Sequence, residues 1–347
     1  MKPYLLITGR SGRIGSRSAE RFSPQYTIIG FDVVPPKKTY PDELFFKVDL
    51  GSQESINAAF QQIAQKCGKT IASVIHLAAY YSFAGEHPEL YDVITVGGTE
   101  RILNGLKGFT VEQFIFSSTM LIYAPCEPSE KINEDSKIEA KWDYPASKVK
   151  TEKLLHEKRG NIPVVNLRIA GVYDDGCHSI PISNQIQRIY EKQLEARVFP
   201  GNLTHGSAFV HMDDLVDAIL LSIEKRKQLP PETALIIGED KTMSYDQMQR
   251  KISFLLFGKE MKTWRVPKIV AKIGAFLQNA LPFMPKTFIK PWMIDLADDN
   301  YTLDVSRAKK VLGWTPKRSV EQTLPKMTAD LKADPAAWYQ QNGLKPR

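Results

Sequence analysis

The sequence predicts an α/β protein, a doubly wound parallel sheet with a smaller, mostly helical C-terminal region. Three observations predict it. Short apolar runs alternate with longer helical patterns through the first half. A glycine-rich turn follows the first of these runs directly. The alternation then breaks down where proline, glycine and polar residues interrupt the second half. Strands alternating with helices at this spacing imply right-handed βαβ units and a sheet covered on both faces.

In chain order, strands are expected at Tyr4–Thr8, Tyr26–Phe31, Leu44–Val48, Ser73–Leu77, Gln113–Ser117 and Val164–Arg168. Each is short and several are rich in Ile, Val and Phe. Helices are expected near Ile14–Phe22, Gln53–Lys66, Leu90–Leu106 and Tyr144–Glu157. A late run, Ala234–Ile237, adds an edge strand. The interruptions fall at Asp174–Pro181, Pro200–Gly206, Leu229–Glu232 and Pro282–Pro291. In an open α/β sheet the ligand lies beyond the carboxyl ends of the strands, so segments inserted after the later strands cap that site.

Composition narrows the class. With 347 residues, 43% apolar and 24% charged, the chain can bury a sizeable core, which excludes a mainly disordered or collagen-like protein. The net charge of +7 is spread along the chain with no long basic run. It suits an anionic small molecule and gives no footprint for nucleic acid. Cys67, Cys126 and Cys177 include no CxxC pair and are expected as reduced thiols of a cytoplasmic protein. No His/Asp/Glu set has metal-ligand spacing, so no metal is expected. The apolar run Tyr4–Ile7 is far too short for a signal peptide, and no stretch is long enough to span a bilayer.

The turn after the first strand reads Gly9-Arg10-Ser11-Gly12-Arg13-Ile14-Gly15. Glycines at this spacing allow a tight turn, close backbone approach to a pyrophosphate, and packing of the next helix on the strand. The helix N-terminus offers free N–H groups to the phosphates. Asp32 closes the second strand 17 residues after Gly15. A carboxylate there holds the adenosine ribose hydroxyls and repels a 2′-phosphate, so NAD is expected over NADP. Arg10 and Arg13 pull the other way, since either can pair with an extra phosphate. Asp49-Leu50, after the third strand, either flanks the adenine or caps the next helix.

Tyr144-Pro145-Ala146-Ser147-Lys148 sets a phenol and an amine one helical turn apart. A nearby ammonium lowers a phenol's pKa from about 10, and a phenolate can exchange a proton with a carbinol as hydride moves. The hydroxyl-rich run Ser117-Ser118-Thr119 closes the fifth strand, at the edge where the substrate oxygen belongs.

These motifs together resemble the extended short-chain dehydrogenase/reductases, in the NAD-dependent epimerase/dehydratase branch. The resemblance covers nearly the whole chain. It rests on TGRSGRIG, Asp32, VDL at Val48–Leu50, HLAA at His76–Ala79, SSTMLIY and YPASK. It continues through LRIAGVY at Leu167–Tyr173, FVHMDDLVDAI at Phe209–Ile219 and DVSRAKKVLGWTP at Asp304–Pro316. It implies a Rossmann domain over 1–170, completed by about 207–238, with a substrate-binding region from 171–206 and 239–347. It makes Tyr144 the general acid/base, Lys148 its partner and ribose ligand, and Thr119 the group that orients the substrate. It places Gly9, Gly12, Arg13, Ile14, Gly15, Asp32, Asp49, Leu50, Leu77, Ala78, Ala79, Ser117 and Lys148 around NAD, and it implies a homodimer. Tyr81, Thr119 and Gly171 are expected to face the substrate.

Three positions depart from the sugar-nucleotide pattern. Thr95 stands where that branch has Asn. Gly171 stands where an Asn amide reaches a substrate diphosphate. Gly206-Ser207-Ala208 precedes FVHMDDL where an Arg is usual. Buried phosphates need paired donors, so these losses favour a dehydrogenase or reductase acting on another hydroxyl or ketone. The alternatives are a nucleotide-sugar epimerase or dehydratase that recycles its NAD, and a non-catalytic NAD-sensing interaction protein.

One further segment is conspicuous, Val266–Met293. Ile269, Ile273, Phe276, Leu277 and Ala280 recur at helical spacing beside Lys268 and Lys272, and Pro282, Pro285 and Pro291 interrupt the run. A lid helix packed on the substrate region is the expectation, because an amphipathic stripe usually faces the core. Contact with a membrane surface is the alternative.

Overall fold

The computed structural model describes residues 2–82, 85–280 and 291–346. The side chains of 275–280 and of Pro291 are outside the described set, and so are Pro282 and Pro285. The expectations for Phe276, Leu277 and Ala280 therefore lie outside it too.

Seven parallel strands form the central sheet. They are β1 (Tyr4–Thr8), β2 (Thr27–Asp32), β3 (Leu44–Lys47), β4 (Ser73–His76), β5 (Phe114–Thr119), β6 (Val164–Ile169) and a late strand, Glu232–Ile237. The spatial order is late strand, β6, β5, β4, β1, β2, β3. All seven expected strands are present, with ends shifted by one or two residues. Leu5, Leu6 and Ile7 in β1 are fully buried, and every residue of β6 is buried. A strand covered on both faces is mainly apolar, as β1 is, and the charged member of β6, Arg168, is satisfied by Glu152 and by the Glu134 carbonyl.

Helices α1 (Arg13–Phe22), α2 (Gln53–Cys67), α3 (Gly97–Gly105) and α4 (Asp143–Lys158) cover the faces of the sheet. The helix expected at Leu90–Leu106 is split. Tyr91–Val96 forms a π-helical turn before α3 begins at Gly97. Within it the Val93 carbonyl accepts from Arg101 Nη1 at 3.0 Å, and the same nitrogen donates to the Leu50 carbonyl at 3.0 Å. Such turns are frequent at functional sites.

The direction in which successive strands are added reverses between β1 and β4, all of them staying parallel. From β1 the sheet grows toward β2 and β3 on one side, and toward β4, β5 and β6 on the other. A crevice opens at that switch point beyond the strand carboxyl ends.

After β6 the chain adds β7 (Gly171–Tyr173), α5 (Ile180–Tyr190), β8 (Val198–Phe199), β9 (Phe209–His211) and α6 (Met212–Glu224). The late sheet strand Glu232–Ile237 is β10. Then follow α7 (Tyr245–Phe257), β11 (Trp264–Arg265), α8 (Lys268–Ala280), α9 (Pro291–Asp295), α10 (Ser306–Leu312), α11 (Val320–Ala333) and α12 (Pro335–Gln341). A separate helical core joins Ile182, Ile186, Ile252, Leu324, Met327 and Trp338 from α5, α7, α11 and α12. Tyr301, Leu303 and Trp314 instead pack with the sheet, and Trp314 donates its indole N–H to the Asp214 carbonyl of α6 at 2.8 Å.

Candidate active site

The glycine turn is shaped by close approach. Gly9 has φ +71°, and a Cβ on it would stand 2.9 Å from the Ala78 amide nitrogen. A Cβ on Gly15 would lie 2.2 Å from the Gly9 carbonyl oxygen. Gly12 is the N-cap of α1 with no side chain to satisfy the first-turn amides, which stay available to an anion. Gly9, Gly12, Arg13, Ile14 and Gly15 all line one groove of about 750 Å³. Asp32, Asp49, Leu50, Leu77, Ala78, Ala79, Tyr81 and Tyr144 line the same groove. A dinucleotide fits this donor set: a side-chain-free cradle for a pyrophosphate and a carboxylate one strand away.

Asp32 accepts the Ser11 amide at 2.9 Å, so the second strand's acid is held against the turn. Arg10 is not available to a phosphate. Its side chain is buried, paired with Glu43 at 2.6 Å and donating to the Lys38 carbonyl at 2.9 Å. Arg13 remains exposed at the groove. Asp49 does not cap α2, a role that Ser52 takes by accepting the Ser55 amide; Asp49 closes a turn by accepting the Gly51 amide at 2.7 Å.

Beneath the groove runs a buried chain of hydrogen bonds that sequence reasoning missed. Thr99 gives its only hydroxyl hydrogen to the Thr95 carbonyl at 2.7 Å, so it accepts from His76 Nε2–H at 2.9 Å. His76 Nδ1 is then the acceptor, and takes the Thr8 hydroxyl hydrogen at 2.8 Å. Thr8 in turn accepts the Ala78 amide at 3.2 Å. Burial, with the Lys148 charge second, pushes the His76 pKa down to about 3, which keeps the ring neutral. Thr95 accepts the Tyr80 amide at 3.1 Å, so the Thr standing in the place of Asn still anchors this loop.

Tyr144, Lys148 and Thr119 come together at the end of β5. The Thr119 hydroxyl lies within hydrogen-bonding reach of the Tyr144 phenol; Thr119 is buried, and Tyr144 is half-buried in the groove wall. Lys148 Nζ stands 5.7 Å from the Tyr144 ring centre and 4.7 Å from that of Phe116. It donates to the Ser117 carbonyl at 2.7 Å. Ser117 takes part through that carbonyl. Its hydroxyl is spent on the His76 carbonyl at 3.0 Å, and it is not among the residues lining the groove.

The protonation balance differs from the sequence-based expectation. Burial pushes the Tyr144 phenol up to about 12, against the smaller lowering from Thr119. Burial also pushes the Lys148 ammonium down to about 7, partly offset by Glu152. Desolvation disfavours the charged form of each, and for the phenol it outweighs the hydrogen bond from Thr119. Glu152 lies one further turn along α4. It accepts from Arg168 at 2.8 Å and from Ser118 at 2.5 Å. The spacing Tyr144, Lys148, Glu152 on one helix face was the available signal for it.

Aromatic rings surround the phenol. Tyr81 meets Tyr144 edge-on at 5.0 Å, and Trp142 lies 5.4 Å away. Trp142 also tilts against Trp292 at 5.5 Å. These two tryptophans open onto a second pocket of about 390 Å³, lined largely by apolar residues such as Leu121, Phe199, Phe209 and Met248. Its cations are already engaged: Lys141 is paired with Asp299 at 2.9 Å, and Arg188 is hydrogen-bonded to Tyr245. Ser207 lines this pocket where an arginine was noted as usual, and a Cβ on Gly206 would stand 2.1 Å from the Met243 carbonyl oxygen. Gly171 lines neither pocket. A Cβ there would meet the Phe209 ring at 2.8 Å, so packing accounts for the glycine.

The profile of the NAD dependent epimerase/dehydratase family matches residues 5–238. The chain belongs to this family. Among its relatives, the UDP-glucuronate 4-epimerase of Thermodesulfobacterium geofontis is 26% identical over 92% of this chain and 94% of its own. The decarboxylating sterol-4-alpha-carboxylate 3-dehydrogenase of Saccharomyces cerevisiae is 21% identical, over 94% and 97%. The solved UDP-glucose 4-epimerase of Thermus thermophilus, in complex with NAD, superposes with a TM-score of 0.70. It is 20% identical, covering 95% of this chain and 99% of that one. The family's Rossmann fold is that of the seven-stranded sheet above, and as a member this chain is an NAD-dependent enzyme. Among the described residues no helix is long and apolar enough to cross a membrane.

Proposed function

We propose that this enzyme moves hydride between NAD and a carbinol or ketone carbon, with Tyr144 exchanging the proton on the substrate oxygen. One observation carries the reading: the Tyr144 phenol, in reach of the Thr119 hydroxyl, lines the glycine-turn groove, and Trp142 leads from it to the apolar second pocket. Bound NAD supplies the hydride acceptor and, in its oxidised form, a positive charge that favours the phenolate. Thr119 holds the substrate oxygen toward Tyr144. Lys148, fixed by the Ser117 carbonyl, stands where it can hold a ribose hydroxyl and stabilise the deprotonated phenol. Asp32 selects NAD over NADP by repelling a 2′-phosphate.

A second reading has a specific observation behind it. The similarity to a UDP-glucuronate 4-epimerase runs the length of both chains, which favours a nucleotide-sugar epimerase or dehydratase with internally recycled NAD. The apolar pocket with its paired Lys141 and engaged Arg188 favours the first. The family resemblance also carries a homodimer and a cytoplasmic setting into the reading.

Denaturing the purified protein and assaying the supernatant for nicotinamide nucleotide tests the choice. Stoichiometric NAD supports the epimerase or dehydratase, and directs the first screen to nucleotide sugars. An empty protein that binds added NAD reversibly supports a dehydrogenase, and directs it to secondary alcohols. A protein that neither holds nor binds NAD overturns both. Sedimentation of the purified protein tests the dimer.

A further inference from the structure

Helix α8 carries its amphipathic pattern inside out. Apolar stripes normally turn to the core and lysines to water. Here Lys268 and Lys272, one turn apart, are drawn onto the protein. Lys268 pairs with Asp298 and donates to the Asp295 carbonyl at 2.8 Å, and Lys272 meets Asp295 at 2.6 Å. The neighbouring stripe of Ile269, Val270 and Ile273 is left outward, 69%, 55% and 55% exposed. The lid-helix expectation had this stripe buried. The partners of the two lysines, Asp295 and Asp298, lie at and just after the end of α9.

The surroundings extend the pattern. Immediately before α8, Trp264 and its strand partner Val198 are also exposed, and so is Leu194. Lys262 lies over the Trp264 ring at 4.7 Å. Arg265 and Arg197 are exposed, and Arg265 forms no ion pair among the described residues. From Met261 to Ile294 the sequence holds Lys262, Arg265, Lys268, Lys272, Lys286 and Lys290, and neither Asp nor Glu.

We propose that α8 and the Trp264–Arg265 strand dock the protein on an anionic lipid bilayer surface. The isoleucines enter the headgroup boundary, Trp264 sits at its edge, and Lys262 and Arg265 meet lipid phosphates. Charge decides between occupants. In a two-fold interface the same patch meets itself, which would set unpaired cations against cations. A headgroup layer instead offers anions around an apolar interior. The helix has 13 residues, too few to span, so it lies in the surface. Trp292 and Met293, at α9 beside α8, line the apolar pocket, so docking sets that pocket next to the interface.

The test is flotation of the full chain with two kinds of vesicle, pure phosphatidylcholine and phosphatidylcholine with about 30% phosphatidylglycerol, at low and physiological salt. The expected result is flotation with the anionic vesicles, weakening as salt rises. The Ile269→Glu/Ile273→Glu variant should lose at least about tenfold in bound fraction. Arg265→Glu, at an exposed position with no ion pair among the described residues, should lose severalfold with an unchanged melting temperature. Wild-type protein that stays unbound with anionic vesicles at low salt overturns the proposal. So does a wild-type dimer that Ile273→Glu converts to monomer, since the face is then a self-interface. None of these readouts depends on substrate or on NAD.

Discussion

Lys148 donates to the Ser117 carbonyl at 2.7 Å, and this bond holds its nitrogen 5.7 Å from the centre of the Tyr144 ring. The amine therefore faces the end of β5, while the phenol is left to Thr119. Desolvation disfavours the charged form of both groups.

Tyr144→Phe removes the proton carrier and leaves the groove intact. Turnover of the first substrate found by the screen should fall by about 10²–10⁴-fold, the usual contribution of a positioned acid/base. NAD affinity should change by less than about threefold, because the ring and its aromatic neighbours remain. Steady-state kinetics and NAD titration read the two effects separately, and near-normal turnover would remove Tyr144 from the mechanism.

Gly15→Ala places a methyl 2.2 Å from a backbone oxygen that has no rotamer to yield. The turn must shift, so both stability and NAD binding should suffer. A loss of about 1–3 kcal/mol is expected from overpacking, read by urea denaturation. A variant that melts like wild type and binds NAD equally well would contradict the close approach of turn and helix.

Asp32→Ala should relax cofactor choice. Losing the carboxylate removes the repulsion of a 2′-phosphate, and exposed Arg13 stays at the groove to meet one. The ratio of NADP to NAD affinity should rise by at least about tenfold, which equals about 1.4 kcal/mol. Arg10→Ala should not alter that ratio, since Arg10 is spent on Glu43; it should instead destabilise the fold by stranding a buried carboxylate.

His76 makes acid stability diagnostic. Its folded pKa, about 3, lies below the ordinary histidine value near 6.5, so the unfolded chain binds the extra proton first. Its contribution is present above about pH 6.5 and is lost progressively as pH falls toward 3. His76→Gln should be less stable at pH 7 and should show a shallower fall over that window. Denaturant unfolding at several pH values checks it, and parallel slopes for the two proteins would exclude His76 as a source of the acid sensitivity.

Much of this was legible in the residues because it is local. The Gly9–Gly15 turn, Asp32 at a strand end and Tyr144 one turn before Lys148 each sit at a fixed place within a strand–turn–helix unit or on one helix face, so spacing encodes them. The seven strands were readable for a similar reason, since burial on both faces favours short, mainly apolar runs such as Tyr4–Thr8 and Thr27–Asp32. The three-dimensional arrangement decided the rest. It took Arg10 away from the phosphates by burying it on Glu43, 33 residues on. It joined Thr8, His76 and Thr99 into one hydrogen-bonded chain, and brought Trp142 against Trp292. It raised Tyr144 and lowered Lys148, because desolvation depends on everything packed around a group and not on its neighbours in sequence. It also turned Ile269 and Ile273 outward and set Lys268 and Lys272 against Asp298 and Asp295. Periodicity reveals that a helix has two faces; only what the helix meets in space determines which face is buried.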